Sequence, residues 1–205
     1  MIQLEVWGPY ALFTRGEMKV ERVSYDVPTP SAARGIVESL YYHPGIRWHI
    51  RRIYVLNPIE FTTIRRNEVK SKILGGTAMR IAQDKEDEPY LVTTKQIVQR
   101  ASMVLTNVHY VIEAEFEMLP EKAAPGDNPG KFQDIVTRRM RKGQCFSTPY
   151  FGCREFPAHF KQWEGGPIPT IDETRDLGFM LYDFDYSDPQ NITPLYFRAK
   201  MEHGV

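Results

Sequence analysis

The segment from Ser24 to Trp48, SYDVPTPSAARGIVESLYYHPGIRW, specifies a helix with both ends marked, and any fold for this chain must be built around it. Thr29 is a good N-cap, and Pro30 follows at the first helical position, where a missing N–H is no loss. Ala33, Ile36, Val37, Leu40 and Tyr41 then recur on a 3.6-residue period and form one apolar stripe, which predicts a helix over 30–42. Pro44 and Gly45 stop it. Tyr41 therefore falls at the end of a buried stripe, where a ring can pack while its hydroxyl still emerges.

A chain of 205 residues with 42% hydrophobic and 12% aromatic content has enough apolar surface for a real core. No run approaches the ~20 apolar residues of a membrane span. The opening MIQLEVWG alternates like a strand and lacks the basic and apolar regions of a signal peptide. Cys145 and Cys153 are the only cysteines, which together with the absence of a leader implies a reduced, cytoplasmic protein. No CxxC or HExxH spacing exists, so neither a metal nor another cofactor is expected.

The net charge is zero, but the charge is segregated. From His43 to Arg80, eight Lys and Arg stand against Glu60 and Glu68. From Asn128 to Arg154, Lys131, Arg138, Arg139, Arg141, Lys142 and Arg154 stand against Asp134 alone. The acidic excess lies elsewhere, in DKEDE at 84–88 and after Glu155. Two basic segments in a neutral chain point to a local polyanion site; solvated charge on two unrelated faces is the alternative.

Strands are predicted at Ile2–Trp7, from Ile50 through Leu56 toward Ile64, at Val108–Glu117 and through Thr148–Phe156, with 75–90 as a loop. In VHYVIEAEFE, Val108, Tyr110, Ile112, Ala114 and Phe116 face one way, with His109, Glu113, Glu115 and Glu117 opposite. Lys131–Lys142 reads as a second helix, with Phe132, Ile135, Val136 and Met140 inward and Gly143 as C-cap. The order β-α-β, insertion, β-α-β gives the expected class: α+β, a ferredoxin-like domain over 1–156 with an insertion around 65–107. A small C-terminal antiparallel β domain follows over 157–205, where Leu177–Tyr186 alternates and Pro194–Met201 is its expected partner.

Three segments, at 10–50, 99–116 and 128–160, together resemble one family. GCREFPAHF after a basic helix is the most specific part. The chain resembles the CRISPR-associated Cas-five family, subtype d, of type I-C systems. The resemblance implies an endoribonuclease that binds CRISPR repeat hairpin RNA and cleaves precursor crRNA without a metal, by attack of the RNA's own 2′-hydroxyl. It also implies that the protein stays on the 5′ handle as a subunit of the type I-C effector, with other effector subunits as partners. Contact with double-stranded DNA is left open, and a non-catalytic 5′-handle scaffold is the alternative.

Nucleases of that family resemble one another in a Tyr, Lys, His set. Here ESLYY puts Tyr41 at the tyrosine position and NPGKF puts Lys131 at the lysine position, so these two are the expected catalytic residues. The histidine position holds Phe132, which cannot transfer a proton and which also sits on the apolar stripe of its helix. Another histidine could take the role, His43 being nearest Tyr41 in sequence. Arg138, Arg139, Arg141, Lys142 and Arg154 are the expected RNA contacts. His49, His109 and His159 read as structural or surface residues.

Overall fold

In the computed structural model, residues 1–18, 20–71, 75–83 and 92–205 are described. The Thr29 hydroxyl accepts the Ala32 N–H at 3.1 Å, and helix α1 (Pro30–Leu40) begins there. Ala33, Ile36, Val37 and Leu40 are its buried positions. The helix stops two residues short of the expected 42, because a helical Pro44 would clash with the carbonyl four residues back, that of Leu40. Tyr41 is thus the C-cap, in extended backbone (φ −149°, ψ 110°), with its N–H bonded to the Val37 carbonyl.

Two compact units are present, one of residues 1–62 with 103–205 and one of residues 63–102. In the first, strand β1 (Ile2–Ala11) pairs antiparallel with the long strand β5 (Ile97–Met118), with Leu4 opposite Ile112 and Val6 opposite Tyr110. Strand β3 (Ile46–Val55) takes the other edge of β5, with Trp48 opposite Phe116. Strand β6 (His159–Gln162) pairs with β1, giving the order β6-β1-β5-β3. The short β2 (Arg22–Val23) also pairs with β5. Helix α4 (Pro129–Lys142) lies in the β5–β6 connection and packs on α1 and β6. Leu4, Val6, Tyr110, Ile112 and Ala114 are buried, as are Phe132, Val136 and Met140 of α4; this is the core.

The other side of this sheet is polar but not loose. Buried Glu113 accepts from Gln3 (3.2 Å), Arg52 (3.3 Å) and the Tyr54 hydroxyl (3.4 Å), and buried Glu5 is matched by His109 (2.9 Å) and Lys161 (3.3 Å). Arg51 pairs with Glu115, and His49 with Glu117, across β3 and β5. His159 stacks on Trp7. These histidines and carboxylates bind one another, as cross-strand neighbours do.

The expected strand over 148–156 is absent; β6 begins at His159 instead. Gly152 adopts φ +80°, and a Cβ there would lie 1.9 Å from the Leu12 carbonyl oxygen, so the segment turns tightly rather than extending. Phe151 is buried by this turn against Phe13 and Tyr110. Strands β7 (Arg175–Asp185) and β8 (Thr193–Met201) form a separate antiparallel pair, tied to α1 by Arg34, which is bidentate on Asp183.

In the second unit, β4 (Glu60–Val69) pairs with β5; nearby the Lys70 N–H donates to the Gln96 carbonyl and Arg100 lies 3.6 Å from Glu68. A short helix, α3 (Thr93–Gln96), leads into β5. Gly75–Ala82, expected as loop, is helix α2. The glycine pair occupies only its first turn, and Ala78, Met79, Arg80 and Ala82 behind it are good helix formers. The acidic run at 84–88 and Lys72 lie outside the described residues.

Candidate functional site

Asn128, the N-cap of α4, accepts the Lys131 N–H at 2.9 Å, which sets Lys131 in the first turn with its side chain outward. Its ammonium reaches Asp127 Oδ1 at 2.8 Å. The Asp127 carboxylate is only 1% exposed, and its other oxygen accepts the Ala124 N–H at 2.8 Å. Hydrogen bonds from Lys131 and Ala124 hold the Asp127 carboxyl below its usual range, and Asp127 in turn raises the Lys131 ammonium above its own. At neutral pH the pair is carboxylate and ammonium.

His43 joins the same cluster. Its Nδ1 accepts the Gly45 N–H at 3.0 Å, which assigns the proton of the neutral ring to Nε2. Nε2 lies 3.7 Å from Asp127 Oδ2, so one carboxylate serves both cations when His43 is protonated. The imidazole packs on Phe132 at 4.8 Å between centroids and stacks on Tyr41 at 6.3 Å with planes 16° apart.

Tyr41 is 8% exposed, wedged among His43, Phe132 and the Arg139 guanidinium, which lies 5.1 Å above its ring. Burial raises its pKa, and the Lys131 and Arg139 charges only partly oppose this. Its hydroxyl stays protonated at neutral pH, which leaves it able to donate a hydrogen bond but not to serve as a base. Phe132 is fully buried, packed on Tyr41, His43 and Phe116, as its place on the apolar stripe requires.

The end of α1 is the frame that holds the cluster. The carbonyl of Ser39 accepts the N–H groups of Phe146 (2.8 Å) and Ser147 (3.0 Å). The carbonyl of Leu40 accepts from Arg139, and that of Tyr41 from the Trp48 indole at 3.1 Å. Thus Tyr41 and Lys131, expected together, are in the same cluster, and His43 stands beside them.

The basic residues separate by role. Arg139 turns inward to Leu40 and Tyr41, and Arg141 donates to Gln162 Oε1 at 3.0 Å. Arg138, Lys142 and Arg154 are exposed. Asp127 is not visible as a functional residue in the sequence; its only signal is the turn-rich PGDNPG just before a helix. Among the described residues no group of three or more His, Cys, Asp or Glu is placed to hold a metal ion, and no helix is long and apolar enough to cross a membrane.

The profile of the Cas5d family, described as CRISPR-associated protein (Cas_Cas5), matches residues 1–205. The chain is 46% identical over 211 residues to a CRISPR pre-crRNA endoribonuclease Cas5d of Mannheimia succiniciproducens, covering 100% of this chain and 92% of the relative. It is 38% identical over 220 residues to a protein of the same description from Thermus thermophilus, covering 99% and 89%. A solved CRISPR-associated protein superposes with a TM-score of 0.69 at 23% identity, over 99% of this chain and 88% of that one. A functionally uncharacterized protein from Streptococcus mutans gives the same score at 21% identity, over 99% and 89%. These two likenesses speak for the fold.

Proposed function

Since the chain belongs to the Cas5d family of CRISPR-associated proteins, we propose that it binds CRISPR repeat hairpin RNA and cleaves precursor crRNA at the Tyr41, His43, Lys131 cluster. The single observation that carries this reading is that a lysine ammonium and an imidazole share one buried carboxylate, Asp127, while the Tyr41 ring stacks on that imidazole. The strand order β6-β1-β5-β3, with α1 and α4 in the connections, supports a ferredoxin-like plan, with β7 and β8 as a small C-terminal β domain.

In the proposed reaction the RNA 2′-oxygen attacks the adjacent phosphorus, its proton leaving to water. The phosphorus–5′-oxygen bond breaks, and the products are a 2′,3′-cyclic phosphate and a 5′-hydroxyl end. The Lys131 ammonium and the Tyr41 hydroxyl stabilise the charge that builds on the non-bridging oxygens. His43, whose Nε2 lies 3.7 Å from Asp127, gives a proton from Nε2 to the departing 5′-oxygen, the role that Phe132 cannot fill. Bound to its product, the protein stays on the 5′ handle within the effector.

A second reading, a non-catalytic scaffold on the 5′ handle, is favoured by one observation: the family's histidine position holds a fully buried phenylalanine. One experiment separates the two. Purified protein is incubated with its cognate repeat hairpin in EDTA, beside the same RNA carrying a 2′-deoxy at the cut site. Cleavage of the first RNA alone is expected, with Lys131→Ala slowing cleavage far more than it weakens binding. Tight binding without cleavage would leave the scaffold.

A further inference from the structure

We propose that Arg139 is a positioning residue for the cleavage reaction: it fixes the Tyr41 ring beside His43, and it does not bind RNA. This rests on the RNA-cleaving reading above and gives one more residue at that site a role.

The basic residues at the end of α4 divide by helical geometry. Arg138, Arg141 and Lys142 stand at i, i+3 and i+4 and share an exposed face. Arg139 follows Phe132 by seven residues and Val136 by three, so it continues the buried stripe and is itself half-buried. That stripe carries its side chain to the end of α1. Its backbone is fixed as well: as left-handed Gly143 closes the helix, the Arg139 carbonyl accepts the Gln144 N–H at 2.9 Å.

The guanidinium makes good a deficit left by Pro44. In a continuing helix the Leu40 carbonyl would accept the N–H of residue 44, and proline has none. Arg139 supplies the missing donor, which ties down the peptide group between Leu40 and Tyr41. The same guanidinium lies 5.1 Å from the centre of the Tyr41 ring, within cation–π range. A planar cation with several donors can serve the carbonyl and the ring together, which the point charge of a lysine does less well.

Tyr41 stands in extended backbone past the last helical residue, so the helix does not dictate where its side chain points. The ring is set by what surrounds it, His43, Phe132 and Arg139. Arg139 acts on it twice, through the ring and through the carbonyl one residue before it. Its charge also opposes the burial that raises the Tyr41 pKa, so its removal would leave the hydroxyl a weaker donor.

The test is a double-mutant cycle on single-turnover cleavage of the cognate repeat hairpin in EDTA, with wild type, Arg139→Ala, Tyr41→Phe and the two together. Arg139→Ala should slow cleavage by about tenfold or more, because misplacing a reacting group costs rate steeply. Its RNA affinity should stay within about twofold, with the salt slope unchanged. In the Tyr41→Phe background no hydroxyl remains to misplace, and the same substitution should change the rate by less than about twofold. Arg139→Lys, which keeps the charge, should repeat the pattern at smaller size, and it carries the cycle if the alanine variant does not fold. In protein with 13C-labelled tyrosine, the Tyr41 signal, identified by its loss from Tyr41→Phe, should move in Arg139→Lys before any RNA is added. Equal rate losses in both backgrounds would make Arg139 a plain structural support and overturn the inference, as would an unmoved Tyr41 signal. Weaker binding with a shallower salt slope would overturn it in favour of a phosphate contact. A wild type that does not cleave overturns the RNA-cleaving reading itself, and this inference with it.

Discussion

Replacing Phe132 with histidine restores the family's motif on paper, and the structure says the repair should fail. The Phe132 ring is fully buried against Tyr41, His43 and Phe116. Truncating such a ring to alanine costs about 3–5 kcal/mol. Imidazole keeps part of the volume, so the cavity is smaller, but it brings a polar nitrogen to face aromatic neighbours, at about 1–3 kcal/mol if left unsatisfied. A net loss of roughly 2–4 kcal/mol follows, which for a chain of this size lowers Tm by about 5–15 °C. Phe132→His should therefore melt early and, on the proposed reading in which His43 supplies the imidazole, cleave no faster than wild type. Thermal melts monitored by circular dichroism, run beside the EDTA cleavage assay, measure both. A variant as stable as wild type that cleaves faster would refute the assignment of Phe132 to the core and of His43 to the site.

His43→Ala should slow cleavage by about 10²-fold or more, the usual contribution of a proton-transfer group, with RNA affinity little changed; equal losses of rate and affinity would make His43 a structural residue. Changing Arg138 and Lys142 to Gln should weaken RNA binding and flatten its dependence on salt, by about one unit of slope for each phosphate no longer neutralised, whereas an unchanged slope would turn that helix end away from the RNA. The Asp127 carboxyl titrates below its unfolded value, so its stabilising effect is complete above the ordinary carboxylate range and is lost as pH falls through and below it. Melting curves from pH 7 to pH 3 should show Asp127→Asn losing less stability on acidification than wild type, and parallel curves would contradict the clamp.

What is legible in the sequence is local. Thr29-Pro30 and the Ala33 to Leu40 stripe place α1 because capping and a 3.6 period act within one turn of chain. Gly143, in the left-handed region at φ 63°, ends α4 for the same kind of reason. Alternation identifies the Val108–Glu117 part of β5, but its start at Ile97 depends on pairing that no short window contains. The turn at Gly152 escapes a sequence reading because the contact that demands a glycine there is with the Leu12 carbonyl, distant in sequence. Tyr41 and Lys131 are visible through the family motif. His43 and Asp127 meet through a turn and an N-cap, and no periodicity announces that meeting.

The last carbonyls of α1 also limit how this site can change over generations. Ser39, Leu40 and Tyr41 offer their oxygens to the 146–147 loop, to Arg139 and to Trp48, and they can do so only because the helix stops before Pro44. One more turn of helix would reclaim those acceptors at once and strand donors on three other segments. The tyrosine therefore cannot drift along the chain by small steps, since each intermediate would break several connections together. Histidine is less constrained: any backbone that comes within reach of Asp127 can present one. An ancestor could exchange the side chain at position 132 while keeping the chemistry, provided a neighbour such as His43 had already arrived.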